Sequence, residues 1–219
     1  MEKINYNLLF EKEIEKNVKL GIKPSLLLHV CCAPCSSGCL EKLVEFFNVK
    51  VLFYNPNISP QKEYEKRKIE LKRFINENEK LKNIEMIDCD YEEEEFKKIA
   101  QGLEKVKEGG LRCEKCFRLR LFKTAIVCKK SNCDYFTTTL TISPLKNSAL
   151  INQIGFEVAN EIGIKFLPSD FKKKEGYKNS IINSEKFNLY RQDYCGCVYS
   201  RLEREEQKMR NNLQNNTNI

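Results

Sequence analysis

Seven of the eleven cysteines in this chain of 219 residues fall into three short motifs with the spacing of metal or redox sites. The motifs are CCAPC at 31–35, CEKC at 113–116 and CGC at 195–197. Closely spaced thiols hold metal ions or iron–sulfur clusters, or cycle between dithiol and disulfide. The number of thiols does not distinguish zinc from iron, so these alternatives stay open. The seven residues are Cys31, Cys32, Cys35, Cys113, Cys116, Cys195 and Cys197.

The sequence shows no export or membrane signal that would explain its many cysteines. The N-terminal segment MEKINYNLLFEKEIEKNVKLG lacks the apolar core of a signal peptide, and no run is long enough for a transmembrane helix. We therefore predict a cytoplasmic protein whose clustered cysteines are metal ligands or redox groups. The isolated cysteines are interpreted as buried or incidental; they are Cys39, Cys89, Cys128 and Cys133.

The net charge of +7 favours a polyanionic partner. Residues 112–130 carry seven Lys or Arg and one Glu, and residues 171–191 carry six and two. Both segments border cysteine motifs, so we expect a basic face around the thiols that contacts phosphates, with tyrosines that stack on an extruded base. The predicted substrate-binding residues are Arg112, Arg118, Lys172, Lys173, Tyr177 and Tyr190.

Short apolar runs alternate with helical patterns along the chain, which predicts an α/β fold. We expect a Rossmann-like parallel sheet of about five strands with flanking helices. The predicted units are an N-terminal helical extension (1–24), one metal-binding catalytic domain (25–210) and a disordered tail (211–219). The predicted strands are 25–30, 49–54, 84–87, 135–139 and 164–167, and the main helices are 4–20, 40–47, 61–78, 92–107, 114–130, 147–162 and 194–209.

The first cysteine motif directly follows the first predicted strand. In open parallel sheets, ligands bind beyond the carboxyl ends of the strands, in a loop that usually holds phosphate. Here that loop carries thiols instead. His29, the only histidine, precedes it and either orients a ligand, donates a proton or is a hydrogen-bonded core residue. A scheme that needs several histidines is excluded.

Five segments together resemble the QueH family of cobalamin-independent epoxyqueuosine reductases. They are HVCCAPCS at 29–36, YNPNISPQKEYEKR at 54–67, RCEKCFRLRL at 112–121, FTTTLTISPLKN at 136–147, and DFKKKEGYKNSI followed by LYRQDYCGC. The resemblance covers about residues 25–205. It implies a fold similar to the PP-loop and adenine-nucleotide hydrolase (HUP) group. It also implies the last step of queuosine synthesis, a two-electron epoxide deoxygenation at the wobble position of tRNA with GUN anticodons.

The resemblance further implies a [4Fe–4S] cluster and an additional mononuclear metal, which we expect to be iron. We assign Cys31, Cys32, Cys113 and Cys116 to the cluster. The catalytic group, a second metal site or a dithiol, is then formed by Cys35, Cys195 and Cys197. The division between the two sets stays open, since Cys31 or Cys32 could change sides. The expected partners are tRNA carrying epoxyqueuosine and a ferredoxin- or flavodoxin-like electron donor, with no membrane.

Three other functional classes are alternatives. A cluster-bearing tRNA sulfur transferase of the PP-loop type needs an ATP loop of the form Ser-Gly-Gly-x-Asp-Ser, and CCAPCSSG lacks the glycine pair and the aspartate. A zinc-stabilised RNA-binding module explains the cysteines and the basic charge, but not the βαβ pattern or the third thiol pair. A thioredoxin-like oxidoreductase needs only one C-x-x-C and leaves two motifs unexplained.

Overall fold

Five parallel strands form one sheet in this computed structural model, which describes residues 4–217. The sheet order is β3-β2-β1-β4-β5. The chain therefore moves outward from β1 to β3 and then returns to place β4 beside β1, which makes this position the topological switch point. The predicted Rossmann-like α/β fold is confirmed. The strands are β1 (Ser25–His29), β2 (Asn48–Leu52), β3 (Glu85–Ile87), β4 (Tyr135–Thr138) and β5 (Lys165–Phe166).

Nine α-helices flank the sheet within residues 4–217. They are α1 (Tyr6–Lys19), α2 (Ala33–Ser37), α3 (Leu40–Phe46), α4 (Gln61–Glu77), α5 (Glu93–Ala100), α6 (Leu111–Lys130), α7 (Ser148–Ile162), α8 (Gly176–Lys186) and α9 (Val198–Thr217). None of them combines the length and the apolar character that a membrane-spanning helix requires.

Three helix boundaries differ from the sequence prediction. The helix predicted at 92–107 ends at Ala100, because Gly102 takes a positive φ of 76° that stops the helix. Helix α6 begins at Leu111, so Cys113 and Cys116 lie within it. Helix α9 continues to Thr217, into the polar segment that we expected to be disordered. That segment contains no Gly or Pro that would end the helix. The last two residues of that tail, 218–219, lie outside the described residues.

Both faces of the sheet are buried, which explains the unbroken apolar run in β1. Side chains of successive strand residues point to opposite faces. Leu26 and Leu28 accordingly enter one core cluster, with α3 and α4, while Leu27 enters the other, with α6 and α7. Helix α1 adds Phe10 to the first cluster, where its ring meets Phe171 edge to face at 5.5 Å between centroids. The strand ends that carry the site are thus held by packing on both sides.

Candidate thiol site

The first cysteine motif forms a compact triad at the carboxyl end of β1. The sulfur atoms of Cys31, Cys32 and Cys35 all lie within 4.8 Å of one another. Cys31 Sγ is 3.8 Å from Cys32 Sγ and 3.7 Å from the Thr139 hydroxyl, which follows β4. Three sulfurs at this separation can bind one metal ion together. The triad therefore lies at the switch point between β1 and β4.

Mutual hydrogen bonding gives the three thiols of the triad different pKa values. Hydrogen bonds from the thiols of Cys32 and Cys35 hold the pKa of Cys31 well below its usual value, with a smaller contribution from Arg120. The same hydrogen bonds, together with burial, raise the pKa of Cys32 and of Cys35. Cys31 is consequently the preferred thiolate of the three, and the thiolate is the form that ligates metals.

The other two cysteine motifs line a common pocket. Cys113 and Cys116 enter it from the start of α6, and Cys195 and Cys197 enter it from the segment before α9. Burial raises the pKa of Cys116 to about 12 and also raises that of Cys113 and Cys197. Asn57, which is 1% exposed, completes this wall with an Oδ1 that has no hydrogen-bond partner among the described residues.

Gly196 sets the conformation of the CGC motif. Its φ of 128° lies in a region that other residues rarely adopt. A Cβ at this position would lie 2.9 Å from Ile58 Cγ1 and 3.1 Å from Arg67 Nη1. Arg67 Nη1 also donates to the carbonyl of Cys195 at 3.1 Å. The glycine thus permits the close approach that fixes Cys195 and Cys197 against α4.

Two cations outside the predicted set connect the three motifs electrostatically. Burial lowers the pKa of Arg120, but attraction from Cys116, Cys31 and Cys195 outweighs burial and raises it. Burial likewise opposes the charge on the half-buried Lys146, yet Cys195, Cys31 and Cys35 raise its pKa. Packing agrees with this, because Cys113 contacts the apolar cluster that contains Cys31 and Cys32 and also lines the pocket of the other two motifs. The three motifs are therefore neighbours, although only the triad has the close sulfur spacing of a preformed metal site among the described residues.

His29 is a hydrogen-bonded core residue, which is one of the three roles suggested for it. It is completely buried, with Nδ1 2.8 Å from the Thr138 hydroxyl and Nε2 3.0 Å from the Tyr54 carbonyl oxygen. Burial, and then the charge of Arg120, lower its pKa to about 3. The imidazole is therefore neutral near pH 7 and does not serve as a proton donor there, but its contacts join β1, β4 and the segment after β2.

The predicted substrate-binding Arg112 is buried inside the protein. It is 1% exposed, and its Nη1 donates to the carbonyls of Leu103 at 2.8 Å and Glu104 at 3.0 Å, and to that of Val106. Its Nη2 reaches Glu203 at 3.3 Å. These contacts connect the loop after α5 to α6 and α9. A contact between Arg112 and a phosphate would require this packing to open.

The other predicted substrate-binding residues lie at least partly at the surface. Arg118 is half exposed but pairs with Glu161 at 2.5 Å. Lys172 donates to the carbonyl of Lys146 at 3.3 Å, which places the 171–173 loop beside the thiol site. Lys173 and Tyr177 are exposed. Their contact with substrate stays a prediction.

Tyr190 lies against α4. Its hydroxyl donates to the Glu63 carboxylate at 3.2 Å, and the Lys66 ammonium lies 3.4 Å from its ring centroid. These contacts fix the ring, whose predicted stacking on a base also stays untested.

Sequence reasoning missed Arg120 and Lys146 as parts of the site. Arg120 follows Cys116 by four residues, and residues at this spacing on a helix are neighbours on one face. Together with the C-x-x-C motif, that spacing was a usable signal. Lys146 follows β4 by eight residues, and only the tertiary structure brings its loop near Cys31.

The residues at this site fit a thiolate-bound metal group. Within residues 4–217 all eleven cysteines are free thiols, and most of those in the three motifs are buried. Buried thiolates need compensating charge, which Arg120 and Lys146 provide. Iron–sulfur clusters are bound by thiolates of this kind, often with N–H groups close to the sulfurs. A donor set made only of sulfur also fits zinc, so the geometry alone favours a thiolate-bound metal without choosing the element.

Comparison with known proteins identifies relatives over most of the chain. The family model described as epoxyqueuosine reductase QueH matches residues 26–203. A Streptococcus pyogenes serotype M1 protein named epoxyqueuosine reductase QueH is 44% identical over 201 residues, covering 91% of this chain and 79% of that protein. Relatives with the same name occur in Staphylococcus epidermidis (42% identity, 92% and 86% coverage) and Thermotoga maritima (37%, 83% and 93%).

Proposed function

This chain belongs to the epoxyqueuosine reductase QueH family, and we propose that it reduces epoxyqueuosine to queuosine at the wobble position of tRNA with GUN anticodons. The observation that carries the proposal is the proximity of the three cysteine motifs, since Cys113 packs against the cluster with Cys31 and Cys32 and shares a pocket with the CGC motif. The reaction breaks both C–O bonds of an epoxide and forms a C=C bond. It consumes two electrons and two protons and releases the oxygen as water.

We assign the cluster ligands as the family resemblance implies. Cys31, Cys32, Cys113 and Cys116 would hold the [4Fe–4S] cluster, which supplies electrons one at a time and at low potential. Cys35, Cys195 and Cys197 would form the adjoining site, which binds a second metal, iron in our assignment, or works as a dithiol. The pocket shared by Cys113, Cys116, Cys195 and Cys197 supports a different grouping, and the variants described below distinguish the two.

The chain's own side chains have three tasks in this reaction. The ammonium of Lys146, which the thiols keep protonated, supplies positive charge for the oxygen as it gains electrons. Arg120 is buried, so its charge stays fixed during turnover. Apolar and aromatic side chains such as Phe96 and Phe117 line the Cys113 pocket and exclude water from it.

The proposed partners follow from the chemistry. A tRNA anticodon arm needs cations at the mouth of the site, and the exposed Lys173 lies in the loop beside Lys146. The two electrons come from an external donor, for which we propose a ferredoxin- or flavodoxin-like protein. We place the reaction in the cytoplasm, because its reducing potential keeps unpaired thiols such as these from oxidising.

Metal and sulfide analysis of the anaerobically reconstituted protein, followed by turnover on epoxyqueuosine tRNA, tests the proposal. We expect about four irons and four sulfides per chain for the cluster, and about one further iron where the second metal is bound. Cys113→Ala and Cys116→Ala should abolish both the cluster and turnover. Cys128→Ala, on the same helix but outside the three motifs, is the matched control and should retain both. Zinc without sulfide, or full activity in either ligand variant, would contradict the proposal.

The same measurement separates the two ligand groupings. If our assignment is correct, Cys195→Ala and Cys197→Ala keep four irons and four sulfides but lose turnover. If the four cysteines of the shared pocket bind the cluster instead, both variants lose the sulfide. In that case Cys31→Ala and Cys32→Ala would keep it.

A further inference from the structure

Arg120 is an arginine without a carboxylate partner in the interior of the protein. It is 1% exposed, and among the ion pairs described for residues 4–217 none involves Arg120. The other two fully buried arginines are each neutralised by a glutamate, Arg67 by Glu63 at 2.7 Å and Arg112 by Glu203 at 3.3 Å. The acidic groups that interact with Arg120 are instead cysteines.

The guanidinium is fixed by two neighbours on one side. Its Nη2 donates to Asn55 Oδ1 at 2.5 Å, and its Nε lies 3.3 Å from His29 Nε2. Asn55 is itself held, because its Nδ2 donates to the carbonyl of Val30 at 2.8 Å. The guanidinium consequently cannot turn toward solvent without breaking contacts to β1 and to the segment after β2.

The guanidinium also interacts with cysteines of the thiol site. Nη1 is buried and has no hydrogen-bond partner among the described residues. The thiols that interact with Arg120 are Cys116, Cys31 and Cys195, one from each motif. Buried N–H groups are rarely left without an acceptor, so Nη1 is available to a sulfur atom at the centre of the site.

We propose that Arg120 is a positioning residue that fixes one positive charge among the three cysteine motifs and raises the reduction potential of the cluster bound there. Reduction adds negative charge to a group that already carries thiolates. A fixed cation in a buried site stabilises the reduced form more than the oxidised form. This inference rests on the proposed function, since it requires that the cysteines bind a redox-active cluster.

A redox titration of the reconstituted protein, followed by absorption or electron paramagnetic resonance, tests the role of Arg120. In Arg120→Gln, which removes the charge, the potential should move to more negative values. Arg120→Lys keeps the charge but loses the planar guanidinium with its several N–H donors, so the shift of the potential should be smaller. Asn55→Ala releases one anchor of the guanidinium and should shift the potential in the same direction. Lys130→Gln removes an exposed charge at the end of the same helix and should leave the potential unchanged.

The outcomes separate this inference from the proposed function. If the wild-type protein binds no cluster, the proposed function fails. A different outcome overturns only the role of Arg120. In that case the wild type binds a cluster, and Arg120→Gln or Asn55→Ala keeps the wild-type iron and sulfide content and also the wild-type potential. If Arg120→Gln keeps its fold by circular dichroism but loses iron and sulfide, its potential cannot be measured and the potential of Asn55→Ala decides. If it unfolds, the potential of Asn55→Ala decides.

Discussion

Gly196 shows how one residue controls two of the reactive thiols. It separates Cys195 from Cys197, and its carbonyl accepts a hydrogen bond from the backbone N–H of Ser59, just before α4, at 3.0 Å. Any side chain here would combine a strained φ with contact to Ile58 and Arg67. The tight CGC turn therefore holds both sulfurs in place.

We predict that Gly196→Ala lowers the free energy of unfolding by about 1–3 kcal/mol, from backbone strain and crowding against Arg67. It should also displace both cysteines and reduce turnover on epoxyqueuosine tRNA more than the loss of stability explains. Chemical denaturation and single-turnover assays measure the two effects. Gly21→Ala, where a Cβ would meet no atom within 4 Å although φ is 65°, is the matched control for strain alone. Equal effects of the two variants on turnover would contradict the prediction.

At the scale of elements, the site depends on how closely α2 and α8 approach each other. Gly38 ends α2, and a Cβ on it would lie 2.5 Å from the Gly176 carbonyl oxygen and 2.5 Å from Ile142 Cδ1. Asn183 on α8 also donates to the carbonyl of Ser37 at 2.7 Å. Helix α2 contains Cys35, so this contact connects α8 to the position of the triad.

Gly38→Ala should therefore push α8 away from α2 and destabilise the fold by about 1–3 kcal/mol, the usual cost of overpacking. We expect a lower melting temperature and a weakened triad, seen as reduced iron content after reconstitution. Asn183→Ala removes a hydrogen bond across the same contact without crowding it, and should cost less stability and leave iron content near wild type. A Gly38→Ala protein with wild-type melting temperature would show that the two helices can separate freely.

At the scale of the whole molecule, the excess of basic residues predicts how tRNA binding responds to salt. Buried or paired cations cannot release counterions from phosphates, so Arg112 and Arg120 contribute little to the salt dependence of tRNA binding. Exposed lysines beside the site contribute most. Lys173 is exposed on the loop whose neighbour Lys172 contacts the Lys146 segment.

We expect Lys173→Ala to weaken tRNA binding and to reduce the slope of log K against log salt by about 0.7–0.9, the loss of one phosphate contact. Filter binding or anisotropy between low and moderate salt measures the slope. Lys19→Ala, an exposed lysine at the end of α1, is the control and should keep the wild-type slope. An unchanged slope in Lys173→Ala would remove the 171–173 loop from the tRNA surface.

The alternation of apolar runs and helical patterns was sufficient to predict the sheet. Strands covered on both faces are apolar at successive positions, so β1 and β4 were visible directly in the residues. The three cysteine motifs were equally visible, because thiol spacing is local in sequence. Helix ends were predicted less well where tertiary contacts decide them, as at α6, whose first turn is held by the carbonyl contacts of Arg112.

The residues by themselves determined the fold class, the three motifs and the resemblance to a family, since each depends on local pattern. Only the tertiary structure decided which charged side chains interact with the cysteines. Arg112 and Arg120 look alike in sequence, yet one pairs with Glu203 and the other with cysteines. Burial and long-range contact assign these roles, because the energy of a charge depends on which groups surround it in space rather than along the chain.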